Sequence, residues 1–252
     1  MSLMKEVPSC NVTHILDIGL GGPKMPHQFD IINHGKGVFE FNPIKCLQSE
    51  QCKQYLLEKL PAAFDAYQQH NAVYPVTTTG LKIQDDQQIG SHRFCTMDYR
   101  FAQYLTNVIK DRSVVDIIQS QNQWFDMINV SQYFRFMKYS SGGEHYPHYD
   151  SDFEYQYNKA VTKYSVVVYF NDCDSGELAF VDDTRGKKIV FYKDDWKRQA
   201  TDQEIWLKIK PSYMKIVLFP HELCHTVLPF TDQDNIRYIC RGDILFNQVS
   251  AT

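Results

Sequence analysis

The chain has 252 residues, 43% of them hydrophobic and 22% charged, with a formal net charge of −4. That length can bury a full hydrophobic core, and the composition excludes a disordered or low-complexity chain. The mild acidity excludes a global basic field of the kind that gathers nucleic acid or membrane surfaces, so a nucleic-acid substrate is disfavoured.

Apolar runs such as Ile216-Val217-Leu218-Phe219 fall far short of the roughly 20 residues a spanning helix needs. No basic-then-apolar leader opens the chain, and Met1-Ser2-Leu3-Met4 reads as a vector remnant. The 7 cysteines, at 10, 46, 52, 95, 173, 224 and 240, follow no pairing pattern. They read as free thiols in a reducing compartment, which implies a cytoplasmic protein.

Residues 4–48 look irregular apart from a strand at 38–41. Gly19-Leu20-Gly21-Gly22-Pro23 superficially resembles a nucleotide loop, but Pro23 and Pro26 follow and no helix opens, so it reads as a turn. Residues 49–70 carry apolar side chains at spacings of three and four, a helix that Pro61 should kink or divide. Further helices are expected over 98–110 and 113–119, their apolar stripes facing a core. From Trp124 the texture turns to β. Strands are expected at 133–139, 164–170, 178–182, 188–192, 206–210, 215–219 and 236–246, separated by Gly-, Asp- and Asn-rich turns. Many short strands with regular turns indicate a double-sheet sandwich or jelly roll. The expected organisation is α+β: a mixed, helical region (4–123) packed on a β core (124–250), the two forming one integrated domain.

Two motifs could bind metal, and they share His225. His221-Glu222-Leu223-Cys224-His225 matches H-E-x-x-H, which makes a zinc hydrolase when it lies on a helix. Here a strand pattern and Pro220 precede it and Pro229 follows it, leaving little room for a helix. On a strand, residues four apart stand roughly 13 Å from each other and cannot share an ion. The second motif is His148-Tyr149-Asp150 with the distant His225. Residues i and i+2 of a strand share a face, so an imidazole and a carboxylate converge. A histidine from another strand then completes a two-His-one-carboxylate set with open positions, which suits non-haem Fe(II).

The runs Phe134 to Asp150, Tyr169-Phe170-Asn171 with Ser175-Gly176-Glu177, Leu218-Phe219-Pro220-His221 through His225, and Arg237-Tyr238 to Asp243 resemble the 2-oxoglutarate- and Fe(II)-dependent oxygenases. The nearest flavour is the prolyl 4-hydroxylase-like branch, and the likeness covers about residues 130–248. The resemblance implies a double-stranded β-helix, a jelly-roll variant. It implies His148, Asp150 and His225 as iron ligands. It also implies a basic residue for the distal carboxylate of 2-oxoglutarate. Arg237 and Arg241 compete for that place, Arg237 being favoured by its position at the start of the strand. Tyr139 and Tyr169 match positions where phenols lie near the same carboxylate, although core packing explains each almost as well. His145 and His221 receive no role.

The activity implied is hydroxylation of a C–H bond in a peptide, a protein or a small molecule, a prolyl residue being the family-weighted guess. O2 and 2-oxoglutarate would be consumed, succinate and CO2 released, and ascorbate would serve as reductant. A carboxylate at Asp150 favours hydroxylation over halogenation, which needs that position open. The alternatives are the zinc hydrolase on His221, Glu222 and His225, and a non-catalytic jelly-roll binding module.

Overall fold

The structure, a computed structural model, describes residues 26, 28–44, 49–71, 91–110, 112–121, 125–155, 159–184, 196 and 198–248. The turn at Gly19–Pro23, the strand expected over 188–192, Trp124, Cys10 and Cys46 lie outside the described residues.

Among them the chain forms strands β1 (Phe29–Gly35) and β2 (Val38–Pro43), helix α1 (Ser49–Asn71), strand β3 (Ser91–Met97), and helices α2 (Tyr99–Ile109) and α3 (Arg112–Gln121). Nine strands follow: β4 (Phe125–Val130), β5 (Tyr133–Tyr139), β6 (His145–His148), β7 (Val161–Tyr169), β8 (Leu178–Val181), β9 (Ile205–Ile209), β10 (Ile216–Pro220), β11 (His225–Val227) and β12 (Arg237–Gln248). The large sheet runs β1-β2-β10-β7-β12-β5-β3, with β4 paired to β12, and the small sheet runs β6-β11-β8-β9. All pairings are antiparallel.

The large sheet is covered on both faces, and strand periodicity decides which side chain goes where. The even-numbered Phe134, Phe136, Val166, Val168, Leu218 and Cys240 meet Leu60 and Phe64 of α1, Phe101 and Leu105 of α2 and Ile118 of α3. The odd-numbered Met137, Tyr139, Val167, Tyr169, Val217 and Ile239 turn inward and meet Leu178, Phe180 and Val227 of the small sheet. Hence β10 is buried at every position and β7 at its last six, where a one-sided sheet would alternate. This is the double-stranded β-helix, with helices laid on the outer face of its larger sheet.

Asp98 caps α2 by accepting a hydrogen bond from the Phe101 N–H at 2.9 Å, the usual duty of an N-cap carboxylate. Pro61 does not divide α1. It costs one backbone bond, but the buried Leu60 and Phe64 anchor the helix on either side of it.

Candidate functional site

Part of the inner face of the large sheet carries polar side chains. On β12 the inward positions are Arg237, Ile239, Arg241 and Asp243, and on β5 they are Arg135, Met137 and Tyr139. The small sheet supplies His148 and His225, which sit opposite each other in the β6–β11 register with ring centroids 4.3 Å apart. Asp150, two residues past β6, is drawn into the same place. Its backbone N–H reaches the His221 carbonyl at 3.2 Å.

His148, Asp150 and His225 bring ligand atoms within 4.8 Å of one another. Each histidine directs Nδ1 at a backbone oxygen, His148 at Tyr146 O (2.8 Å) and His225 at Leu223 O (2.9 Å). An Nδ1–H donated there leaves the Nε2 lone pair for the centre, the outer-shell arrangement that orients metal-bound imidazoles. Burial, reinforced by the His225 charge, draws the His148 ring down to about 3, and burial lowers His225 as well, so both rings stay neutral and able to ligate. Burial would raise the Asp150 carboxyl, but Arg241 and the two histidines overcome it and hold the group well below the usual carboxylate range.

Asp150 is gripped from the large sheet. Ser165 Oγ donates to Oδ2 at 2.5 Å, and Arg241 Nη2 lies 3.1 Å from Oδ1. Arg241 also pairs with Asp243 at 3.0 Å. Ser165 was not singled out from sequence, yet a signal was present: it is a hydroxyl at an inward position within the aromatic and β-branched run over residues 164–170.

Arg237 is placed differently. It is 1% exposed, and its guanidinium lies 4.1 Å above the Tyr139 ring. Nη1 donates to the Gly176 carbonyl, but Nε and Nη2 are buried without a hydrogen-bond partner. No ion pair involves it among the described residues. A buried charge left unpaired costs several kcal/mol, so the site fits an anion that is not part of the chain. Tyr139 and Tyr169 are both buried beside it. Burial raises the Tyr169 phenol and the Arg237 charge offsets this in part, so the phenol stays protonated. Gly176 has φ +77°, and a Cβ there would overlap the Arg237 guanidinium.

The zinc-hydrolase geometry is absent. β10 ends at Pro220, residues 221–224 form a turn rather than a helix, and His225 opens β11. Glu222 is exposed. His221 stands outside the ligand cluster, with Nδ1 3.1 Å from Asp152 and Nε2 3.2 Å from Asp243. Burial opposes its charge, but those two carboxylates prevail and lift it to about 9. A ring bonded at both nitrogens offers no lone pair to a metal. His145, which had no expected role, stacks on His148 with centroids 3.8 Å apart.

The family model that matches is that of the 2OG-Fe(II) oxygenase superfamily, over residues 134–242. No curated protein matches the sequence. Among solved structures, a prolyl-4-hydroxylase from Pseudomonas putida is 16% identical, with 83% of this chain and 93% of that one covered and a TM-score of 0.48. A prolyl hydroxylase from Trichoplax adhaerens, in complex with a hypoxia inducible factor oxygen degradation domain peptide fragment, is 17% identical over 86% and 83%, with a TM-score of 0.43. The viral collagen prolyl hydroxylase of Paramecium Bursaria Chlorella virus-1, in its 2OG complex, is 16% identical over 73% and 90%, with a TM-score of 0.38.

Proposed function

We propose that the chain, whose residues 134–242 match the model of the 2OG-Fe(II) oxygenase superfamily, is an Fe(II)- and 2-oxoglutarate-dependent dioxygenase that hydroxylates a C–H bond. The observation that carries the reading is the presence of two features on the inner faces of the sandwich. One is the pre-oriented His148–Asp150–His225 cluster, with two neutral rings and an ionised carboxylate, and the other is the buried guanidinium of Arg237, whose Nε and Nη2 have no hydrogen-bond partner. A zinc hydrolase needs no such second charge.

In this reading His148, Asp150 and His225 hold Fe(II), which supplies O2 activation when bound. Arg237 takes the distal carboxylate of 2-oxoglutarate, and Tyr139 forms the floor beneath the guanidinium. Tyr169 closes the buried end of that pocket and excludes water. Arg241 and Ser165 keep the Asp150 carboxylate ionised and aimed. The products are succinate, CO2 and a hydroxylated substrate, and ascorbate serves as reductant. A peptidyl proline is the favoured substrate class, after the prolyl 4-hydroxylase-like flavour of the motifs. Among the described residues no helix is long and apolar enough to cross a membrane. The thiols of Cys173 and Cys240 suit a reducing cytoplasm.

The deciding experiment is succinate release from 2-oxoglutarate by purified protein with Fe(II) and ascorbate under air. Wild type is expected to release it and Asp150→Ala to release none. Equal release by both, or none from wild type loaded with Fe(II), would overturn the proposal.

A further inference from the structure

Beside the site, on the outermost strands of the large sheet, lie two more arginines that the reading above does not use. Arg93 on β3 pairs in register with Met137, and Arg135 on β5 pairs with Arg241 on one side and Cys95 on the other. Met137 and Arg241 face inward, so Arg93 and Arg135 share their face. With strands about 4.8 Å apart, the two stand one and two strands away from β12. Both lie on the side of β12 away from β7. The Arg93 charge is felt at His145, whose ring stacks on His148.

Neither arginine forms an ion pair among the described residues. The Nε of Arg93 is buried without a hydrogen-bond partner. The titratable groups that act on it most are Tyr139, Arg135, Cys95 and Arg241, and no carboxylate is among them. Burial and the neighbouring guanidiniums pull Arg93 down to about 10, still charged at neutral pH. Arg241 has its own carboxylates in Asp150 and Asp243. Two like charges held together on one inner face, one of them partly desolvated, oppose each other unless an anion joins them.

We infer that Arg93 and Arg135 form a carboxylate-binding site for the substrate, so that the molecule hydroxylated carries an acidic group close to its reacting carbon. A planar guanidinium fork matches a carboxylate bidentately, and two forks on neighbouring strands can clamp one from two sides. The inference rests on the dioxygenase reading only in taking this face as the one the substrate reaches. 2-Oxoglutarate itself is spoken for by the more deeply buried Arg237.

The test uses the full chain loaded with redox-inert Zn(II) and saturating 2-oxoglutarate. 2-Oxoglutarate binding to wild type and to Arg237→Leu is measured first, which examines the dioxygenase reading separately. N-Acetylglycine and its uncharged twin N-acetylglycinamide are then titrated while the arginine side-chain N–H resonances are followed by NMR. Arg93 and Arg135 are assigned through their Lys variants. The acid is expected to shift the Arg93 and Arg135 signals saturably and the amide to leave them unmoved. Arg93→Gln and Arg135→Gln should each weaken the acid by about tenfold without changing 2-oxoglutarate affinity, and Arg93→Lys should recover part of the loss. Equal shifts by acid and amide, no saturable shift, or Gln variants that bind like wild type would each overturn the inference. If 2-oxoglutarate fails to bind while the acid still does, the carboxylate site stands and the dioxygenase reading falls. A short acidic peptide titrated in the same way distinguishes a side-chain carboxylate from the terminal carboxylate of a small molecule.

Discussion

Arg237 and Arg241 stand four residues apart on one strand face, and what lies opposite each separates their duties. Arg237 meets no carboxylate of the chain, so Arg237→Leu should raise the KM for 2-oxoglutarate roughly 100-fold and leave metal affinity intact. Arg241 lies against Asp150. Arg241→Leu should therefore weaken the metal by about 10–100-fold, read by direct metal titration, with a smaller change in 2-oxoglutarate affinity. The reverse pattern would exchange the two roles. Gly176 bears on the same pocket. A side chain at its positive φ costs roughly 1–2 kcal/mol, and the Cβ of Gly176→Ala would push into the Arg237 guanidinium. That variant should lose 2-oxoglutarate affinity as well as stability. The contest between the arginines was open in the sequence because spacing placed both on one face equally well. What separates them is Asp150 opposite Arg241 and Asp243 beside it on the same strand, with no carboxylate at Arg237.

The helices and the large sheet are joined through aromatic contacts, and Phe101 is central to them. It is fully buried on α2, with ring centroids 5.0 Å from Phe134, 6.1 Å from Tyr104 and 6.2 Å from Phe170. Phe101→Ala should cost about 3–5 kcal/mol in a denaturant titration, while the cleft residues on the opposite face of the sheet stay in place. Most elements of this layer were legible from period alone. The stripes of α1 and α2 and the runs of β5, β7, β10 and β12 carry enough apolar residues to announce themselves. Among the described residues five strands escaped: β1, in a stretch read as irregular, β4, β3, β6 and β11, and for the last three the physical reason is plain. β6 and β11 have only 4 and 3 residues, too few for a period, and are rich in histidine because they carry the site. β3, with the sequence Ser-His-Arg-Phe-Cys-Thr-Met, is an edge strand whose inward side faces a polar cleft, so no apolar alternation marks it. Arg93 stayed invisible for that reason. The candidate ligand cluster itself was readable, because H-x-D and a distant His on a strand are a short list of residue types with a narrow chemistry.

At the scale of the molecule, the buried histidines set opposing responses to pH. His148, drawn down to about 3, and His225, lowered too, bind protons less readily folded than unfolded, where their ordinary value is 6.5. As pH falls below 6.5 the unfolded chain takes up protons the fold refuses, and stability falls. His221, lifted to about 9, behaves in the opposite sense: its contribution is complete below 6.5 and is lost as pH rises toward 9. The metal-free protein should melt highest near pH 6.5 and lower on either side. A melting temperature that climbs steadily from pH 5 to 9 would contradict this. The cluster has a mechanical side as well. His148 and His225 belong to the small sheet, while Asp150 is tied through Ser165 and Arg241 to the large one. An ion bound by all three is therefore a rivet between the two sheets. At 100 times its dissociation constant it would add about 2.7 kcal/mol to the fold. Stripping it with a chelator should let the two layers part first at the end where substrate enters, read as faster amide exchange in β6 and β11 than in β7 or β10.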